Sequence, residues 1–206
     1  RRHTRFRNVT GVQTCALPIL ADRSPNKRAA KIDELLKTPA YAAWWTTKFC
    51  DFTGCNANGL KTGGQFRHHE DARRQWYRWI YKRIEDNMPY DQIAANIVLA
   101  TGRSSPEQTN EQFVREMSTY YRDKDPVDYA THPTLHYYWQ RGDALNADQK
   151  MLAFAHTFLG VRLECAQCHK HPFDRWTRYD FKQFAGIFAS ISGRGDDTIN
   201  KDMKIG

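Results

Sequence analysis

Apolar residues recur at helical spacing in several short segments, and glycine or proline separates these segments. Ala72, Trp76, Trp79, Ile80 and Ile84 form one such stripe. Strict alternation of apolar and polar residues, which a half-buried strand would show, is rare in the chain. The pattern therefore predicts an all-α fold, an irregular multi-helix single domain with long loops.

The remaining faces of that segment are basic and are expected to be solvated. They carry Arg73, Arg74, Arg78, Lys82 and Arg83. Long basic side chains usually cover the edge of an apolar stripe and keep their charged ends in water. This reading is preferred over a docking patch for an anionic partner.

Local signals place several helix ends. Pro39 is expected to start a helix, because the N–H that proline lacks has no partner at the first helical position. Asn146 is expected to cap a later helix, and Thr177 with Asp180 fits a capping box for the one after it. Residues 127–142 are aromatic without a clear period, so no element is predicted there.

The first residues, 1–19, resemble the translation of a common short-read sequencing adapter. Its codons reproduce Arg1 to Arg5 and Val9 to Ile19 in one continuous frame. We therefore expect residues 1–19 to be non-native and the natural N-terminal portion to be truncated. They carry four arginines and no acidic residue, so the net charge of +8 falls to +4 without them. Nucleic acid is consequently not an expected partner.

The rest of the chain is divided by composition. Residues 20–191 are expected to form the helical domain, whereas residues 192–206 are polar and contain glycine. This tail is expected to be a linker or the start of a further domain. No stretch has enough consecutive apolar residues to span a bilayer, so no membrane span is expected in this fragment.

The run Cys165-Ala166-Gln167-Cys168-His169-Lys170-His171 carries the most specific chemical signature in the chain. Two cysteines three positions apart lie on the same side of a helical turn, so both sulfurs can reach the vinyl groups on one porphyrin edge. His169 follows at once, and its imidazole can meet the iron as proximal ligand. The spacing favours attachment of haem c by Cys165, Cys168 and His169.

Two other chemistries fit the same spacing. The two cysteines with His169 or His171 could bind zinc, and Cys50 or Cys55 could supply a fourth ligand. A redox dithiol is the third possibility, although that motif normally accompanies a βαβ unit, which this sequence does not predict. Cys50 and Cys55 would form a disulfide in an oxidising compartment and remain small apolar residues in a reducing one.

A haem would also need a distal ligand and an apolar wall. The main distal candidates are His156 and His136, with His132, Met117 and Met151 as further ones. His171 is too close to His169 to reach the opposite face, so it is expected to hydrogen-bond nearby backbone or a propionate. The aromatic residues expected to form the wall are Phe154, Phe158, Phe173, Trp176, Phe184 and Phe188.

Three stretches of the chain share a family pattern. They are residues 20–41, Asn87-Met88-Pro89-Tyr90-Asp91, and Phe158 through Cys165-Ala166-Gln167-Cys168-His169-Lys170-His171-Pro172-Phe173-Asp174. In these stretches the chain resembles an uncharacterised cytochrome c-like domain found with cytochrome c modules in planctomycete proteins. The resemblance implies a mainly helical fold, an extracytoplasmic bacterial protein and haem binding. Residues 49–55 depart from the family pattern, so the resemblance gives Cys50 and Cys55 no role.

These observations predict an electron-transfer or redox-sensing domain of the bacterial envelope, periplasmic or otherwise extracytoplasmic, rather than a catalyst. Its partner would be a redox protein or adjoining domains of the same chain. The alternative is a zinc-stabilised binding or scaffolding module of a larger secreted protein. The sequence has no Ser-His-Asp order and no glycine-rich phosphate loop that would favour a hydrolase or a nucleotide-binding enzyme.

Overall fold

The structure is a computed structural model that describes residues 19–55, 69–120, 124–141 and 144–191. Within these ranges the regular secondary structure is helical and no residue lies in a β-strand, which confirms the all-α fold class. The adapter-like residues lie outside the described ranges except for Ile19, and the tail 192–206 lies outside them entirely. The chain divides into two compact units, Arg1–Ala43 and Trp44–Gly206.

The first unit contains helix α1, Lys27–Leu36, and the beginning of α2, Pro39–Thr53. Helix α2 starts at the proline, as predicted. The hydroxyl of Thr38 joins the two helices, because it donates to the carbonyl of Leu35 at 2.7 Å and accepts from the Tyr41 N–H at 3.3 Å. The connection between α1 and α2 is therefore closed by local hydrogen bonds.

The second unit continues α2 and contains helices that pack through their apolar faces. Among its described residues, α3 is His69–Glu85, α4 is Tyr90–Val98, α5 is Asn110–Tyr120, α6 is Ala147–Phe154 and α7 is Arg178–Gly186. Short 3₁₀ turns occupy Tyr129–Thr131, His136–Gln140 and Glu164–Gln167, and a π-helical turn, Ala155–Leu159, extends α6. No helix in the described part of the chain has both the length and the apolar character that a bilayer crossing requires.

Both predicted capping residues are confirmed. Asn146 accepts a hydrogen bond from the Gln149 N–H at 2.9 Å, and the Gln149 side chain returns one to the backbone of Asn146. Thr177 and Asp180 make the same reciprocal pair at the start of α7. These caps fix where α6 and α7 begin, because they satisfy N–H groups that have no partner inside the helix.

The core of the second unit is built around residues 129–141, the segment for which the sequence predicted no element. Its fully or almost fully buried side chains include Tyr129, Leu135, Tyr137, Tyr138 and Trp139. Helix α3 packs against this segment and buries Trp76, Trp79 and Ile80 of its predicted stripe. The aromatic segment is therefore the centre of the fold rather than a surface loop.

Side chains of α3 satisfy the backbone carbonyls of this buried segment. The indole N–H of Trp79 donates to the His132 carbonyl at 2.8 Å, and Arg83 donates to the same carbonyl at 2.5 Å. Arg83 also donates to the carbonyl of Ala130, and its guanidinium lies 4.1 Å from the centroid of the Trp79 ring. The prediction that Arg83 is solvated was wrong: its exposed fraction is 7%.

A second buried arginine holds the other end of the segment. Arg141 donates through Nε to the Tyr138 carbonyl at 3.1 Å and through Nη1 to the Thr53 carbonyl at 2.8 Å. Its guanidinium also lies 4.6 Å from the centroid of the Tyr138 ring. Arg141 therefore ties residues 129–141 to the end of α2.

Replacing Arg83 by methionine should destabilise the chain strongly, because the Ala130 carbonyl loses its charged donor and the His132 carbonyl keeps only the Trp79 indole. We expect the free energy of unfolding to fall by about 2–4 kcal/mol, as unsatisfied buried groups cost about 1–3 kcal/mol each. Arg78→Met, on the same helix, removes an exposed ion pair with Asp128 and should cost less than about 1 kcal/mol. Urea unfolding followed by circular dichroism measures both, and equal losses would contradict the role given to Arg83.

Candidate functional site

The cysteine and histidine run begins in a short 3₁₀ turn, Glu164–Gln167, between the π turn and α7, and continues beyond it from Cys168 to His171. Leu163 and Ala166 are fully buried and attach this turn to the core, where it packs against α7. Cys165 lies within the turn, and Cys168 is the residue that follows its end. Both cysteines are exposed, and neither is in a disulfide.

The ring of His169 is held in one tautomer. Its Nδ1 lies 2.7 Å from the carbonyl oxygen of Lys170. Because a carbonyl only accepts, Nδ1 must carry the proton, and the lone pair of the neutral ring is then on Nε2. His169 is exposed, so this nitrogen is accessible. Histidines that bind metals commonly donate the opposite ring N–H to a carbonyl, which orients the ring and increases its basicity.

His171 has the opposite arrangement. Its Nδ1 accepts a hydrogen bond from the Phe173 N–H at 3.3 Å, which leaves the proton of the neutral ring on Nε2. Its own backbone N–H donates to the Trp176 carbonyl at 2.8 Å. His171 therefore organises the loop before α7, and in this form its Nε2 has no lone pair to offer a metal.

The aromatic residues expected to wall the site separate into a cluster and one exposed ring. Phe154 packs against Phe158 and Phe188, with ring centroids 5.5 and 5.3 Å apart. Trp176 stacks on Phe184 with 18° between the ring planes, and Phe184 contacts both Phe154 and Phe188. Phe173 is 94% exposed. The cluster supports the turn from the core side, whereas Phe173 has nearly all its surface free.

The candidate distal ligands lie in two environments. His156 is exposed on the π turn, whereas His136 and His132 are buried in the segment 129–141. The Nδ1 of His136 is 2.6 Å from the hydroxyl oxygen of Tyr129, and the His132 ring stacks on the Tyr129 ring. Met117 and Met151 are also buried. That any of these side chains binds iron stays a prediction.

Burial lowers the pKa of both buried histidines. For His136 the loss of solvation is the main cause and the charge of His132 adds to it, so its pKa falls to about 3. For His132 loss of solvation again comes first, opposed by a hydrogen bond to the Thr134 carbonyl and by the charge of Glu116. Both pKa values therefore lie below the ordinary histidine value.

The zinc alternative has no ready ligand set in the described ranges. There, no three side chains among Cys, His, Asp and Glu converge in the way a metal ion requires. Cys50 is buried in the core near the end of α2, and Cys55 and burial raise the pKa of its thiol. The participation of either cysteine as a fourth zinc donor stays a prediction.

Sequence reasoning missed two groups that shape the site. Ala166 anchors the turn, and it could be recognised as the one apolar residue between the two cysteines. The carbonyl of Lys170 fixes the His169 ring, but every residue has a carbonyl and the sequence carries no signal for this one. The glutamate network of Glu116 with Ser104 and Gln108, beside His132, was also missed.

A family model named PSCyt2, described as a protein of unknown function (DUF1549), matches residues 14–193. The matched range includes the whole cysteine and histidine run. It also includes residues 14–19, and the adapter interpretation of those residues stays a prediction. No curated protein and no solved structure matched the chain.

Acid should destabilise the chain because buried His136 stays neutral in the fold. Unfolded histidines bind protons below about pH 6.5, whereas folded His136 resists until about pH 3. Between these values the free energy of unfolding should fall by up to about 1.4 kcal/mol per pH unit from this residue. Urea unfolding at several pH values measures the slope, which should be smaller in His136→Gln. Leu135→Ala, a buried neighbour without a titrating group, should leave the slope unchanged; an unaltered slope in His136→Gln contradicts the assignment.

The two histidines of the run should show opposite tautomers. In ¹⁵N-labelled chain at about pH 9, far above the ordinary histidine pKa, long-range ¹H–¹⁵N correlations should place the proton of His169 on Nδ1. For His171 they should place it on Nε2. His169→Gln and His171→Gln assign the signals. A protonated Nε2 on His169 would remove the argument that this ring is prepared to bind a metal.

Proposed function

We propose, because the chain belongs to the PSCyt2 family of cytochrome-associated planctomycete domains, that it binds haem c. The family's function is unknown, and the proposed role of the haem is electron transfer or redox sensing. Cys165 and Cys168 would hold the porphyrin through thioether bonds. Nε2 of His169 would be the proximal ligand to iron. His136 or His156 stays the proposed donor on the distal side.

The observation that carries the proposal is the hydrogen bond from His169 Nδ1 to the Lys170 carbonyl. It leaves one accessible imidazole nitrogen on the residue that directly follows Cys168. A porphyrin supplies four nitrogen ligands itself, so the adjacent run has to supply only the proximal one. A structural zinc site needs four protein donors. One prepared imidazole beside two attachment points therefore favours haem.

The surroundings of the turn are consistent with a redox role. When bound, the haem iron would supply one-electron chemistry. Cys165, Cys168 and His169 are all exposed, so a group attached to them would be accessible to a redox protein or to adjoining domains of the same chain. Solvent access and axial ligation set the reduction potential of such a site. Solvent access is high here.

The proposed location is the bacterial periplasm or another extracytoplasmic compartment. It is supported by the relation to a cytochrome-associated planctomycete family. Attachment of haem c also takes place outside the cytoplasm, so the proposed cofactor and the proposed location depend on each other.

The decisive test is expression of the chain behind a secretion signal in a host that carries the haem c attachment machinery. Haem staining of a denaturing gel should reveal covalent haem in the unaltered chain. The double variant Cys165→Ser with Cys168→Ser should lose all covalent haem, because both attachment sulfurs are gone. The matched double variant Cys50→Ser with Cys55→Ser should retain it.

Other outcomes of the same test are equally informative. A colourless product with one zinc ion per chain would overturn the haem proposal in favour of a zinc-stabilised binding or scaffolding module. Equal loss of stain in the two double variants would mean that haem attachment does not depend on the turn itself. Circular dichroism of both variants distinguishes loss of the site from loss of the fold.

A further inference from the structure

The end of α2 brings two thiols together through its backbone geometry. Gly54 has a φ of +79°, and the Cys55 N–H donates to the Cys50 carbonyl at 2.9 Å. A hydrogen bond of this span around a left-handed glycine defines the Schellman motif at a helix C-terminus. In that motif the side chains of the two hydrogen-bonded residues commonly meet as an apolar contact. Here both of those residues are cysteines.

The two side chains lie close enough to influence each other, because Cys55 is the largest cause of the raised pKa of the Cys50 thiol. The Cys55 thiol donates to the carbonyl of Arg73 at 3.7 Å. Cys50 is buried in the core, whereas Cys55 is only partly buried. The pair therefore has an inner member and an outer member.

Buried Arg141 keeps this turn in place. Its Nη1 donates to the Thr53 carbonyl at 2.8 Å, and a Cβ added at Gly54 would lie 2.0 Å from the same nitrogen. Glycine is therefore required here both for its positive φ and for the close approach of the guanidinium. The backbone between the two cysteines is therefore held by Arg141.

We propose that Cys50 and Cys55 form a thiol–disulfide redox pair, separate from the cysteine and histidine turn, that reacts with disulfide-bearing oxidants. The Cys55 thiolate attacks one sulfur of the oxidant's disulfide and forms a mixed disulfide, and the displaced sulfur leaves as a thiol after taking a proton. The Cys50 sulfur then attacks the Cys55 sulfur and displaces the second thiol. One S–S bond forms in the chain, one breaks in the oxidant, and two electrons and two protons pass to the oxidant.

The order of attack follows from the two environments. Cys55 is the member that an external disulfide can reach. The hydrogen bond to Cys55, followed by burial, raises the pKa of the Cys50 thiol, so Cys50 is a poor first nucleophile. Once Cys55 is in a mixed disulfide, its sulfur lies next to Cys50 and becomes the electrophile. Cys55 therefore takes the first step because an external disulfide can reach it. Cys50 takes the second step because it lies beside Cys55.

Mass spectrometry of the whole chain tests the proposal. The chain, as purified, is reduced, equilibrated with mixtures of reduced and oxidised glutathione, quenched in acid, alkylated and digested with trypsin. Residues 49–61 carry Cys50 and Cys55, and residues 163–170 carry Cys165 and Cys168, so the two pairs are read in separate peptides. We expect peptide 49–61 to lose two hydrogens as oxidised glutathione increases. A peptide alkylated at both cysteines at every ratio would overturn the proposal.

Single variants test the order of the steps. Cys50→Ser should accumulate glutathione on Cys55, because the resolving sulfur is gone. Cys55→Ser should leave Cys50 without glutathione, and an adduct on Cys50 in that variant would overturn the proposed order. If circular dichroism shows that either variant is unfolded, the unaltered folded chain provides the test: iodoacetamide should alkylate Cys55 before Cys50, and the reverse order would contradict the proposal.

Discussion

The fold of the second unit depends on how the carbonyl groups of residues 129–141 are satisfied after burial. This segment contributes large aromatic side chains to the core but has only short 3₁₀ turns, so much of its backbone lacks the regular pairing of a helix. Its donors are chiefly Trp79 and Arg83 of α3, together with Arg141 at the segment's own end. Each donor bonds a main-chain oxygen atom. The large aromatic side chains of the segment can therefore pack in the core. A helix stripe and two charged side chains thus replace the hydrogen bonds that regular structure would have provided.

The same segment also supports the cysteine and histidine turn through aromatic contacts. The Tyr138 ring lies 5.6 Å from that of Phe158 on the π turn, and the Trp139 ring lies 5.9 Å from that of Phe188 after α7. These contacts brace the aromatic cluster formed by α6, the π turn and α7, and the turn itself packs against α7 through a face that buries Ala166. The two cysteines are consequently held on a packed support, although both residues are exposed. A surface site with a fixed geometry is what a covalently attached cofactor needs.

The sequence predicted the features that depend on neighbours within a few residues. The stripe of α3, the proline start of α2 and the caps at Asn146 and Thr177 all follow from spacing and local hydrogen bonding, and all are present. Arg83 was misjudged because its partners, the carbonyls of Ala130 and His132, lie far away in sequence and a carbonyl has no sequence signature. For the same reason residues 129–141 gave no prediction. In the candidate site the residue types could be recognised from their spacing, whereas the tautomer of His169 depends on a main-chain oxygen that only the structure locates.

The two cysteine pairs of the second unit show how backbone geometry sets the chemistry available to one side-chain type. At the 3₁₀ turn, Cys165 and Cys168 are both exposed, and the residue after them carries an imidazole whose accessible nitrogen has a lone pair. At the end of α2, the Schellman motif instead brings the backbones of Cys50 and Cys55 together, and Cys50 is buried in the core. A buried thiol is poorly suited to bind a large external group, because the space around it is already filled. Exposed thiols leave room for such a group. The proposed separation of roles between the two pairs therefore rests on helix-end geometry rather than on the cysteines themselves.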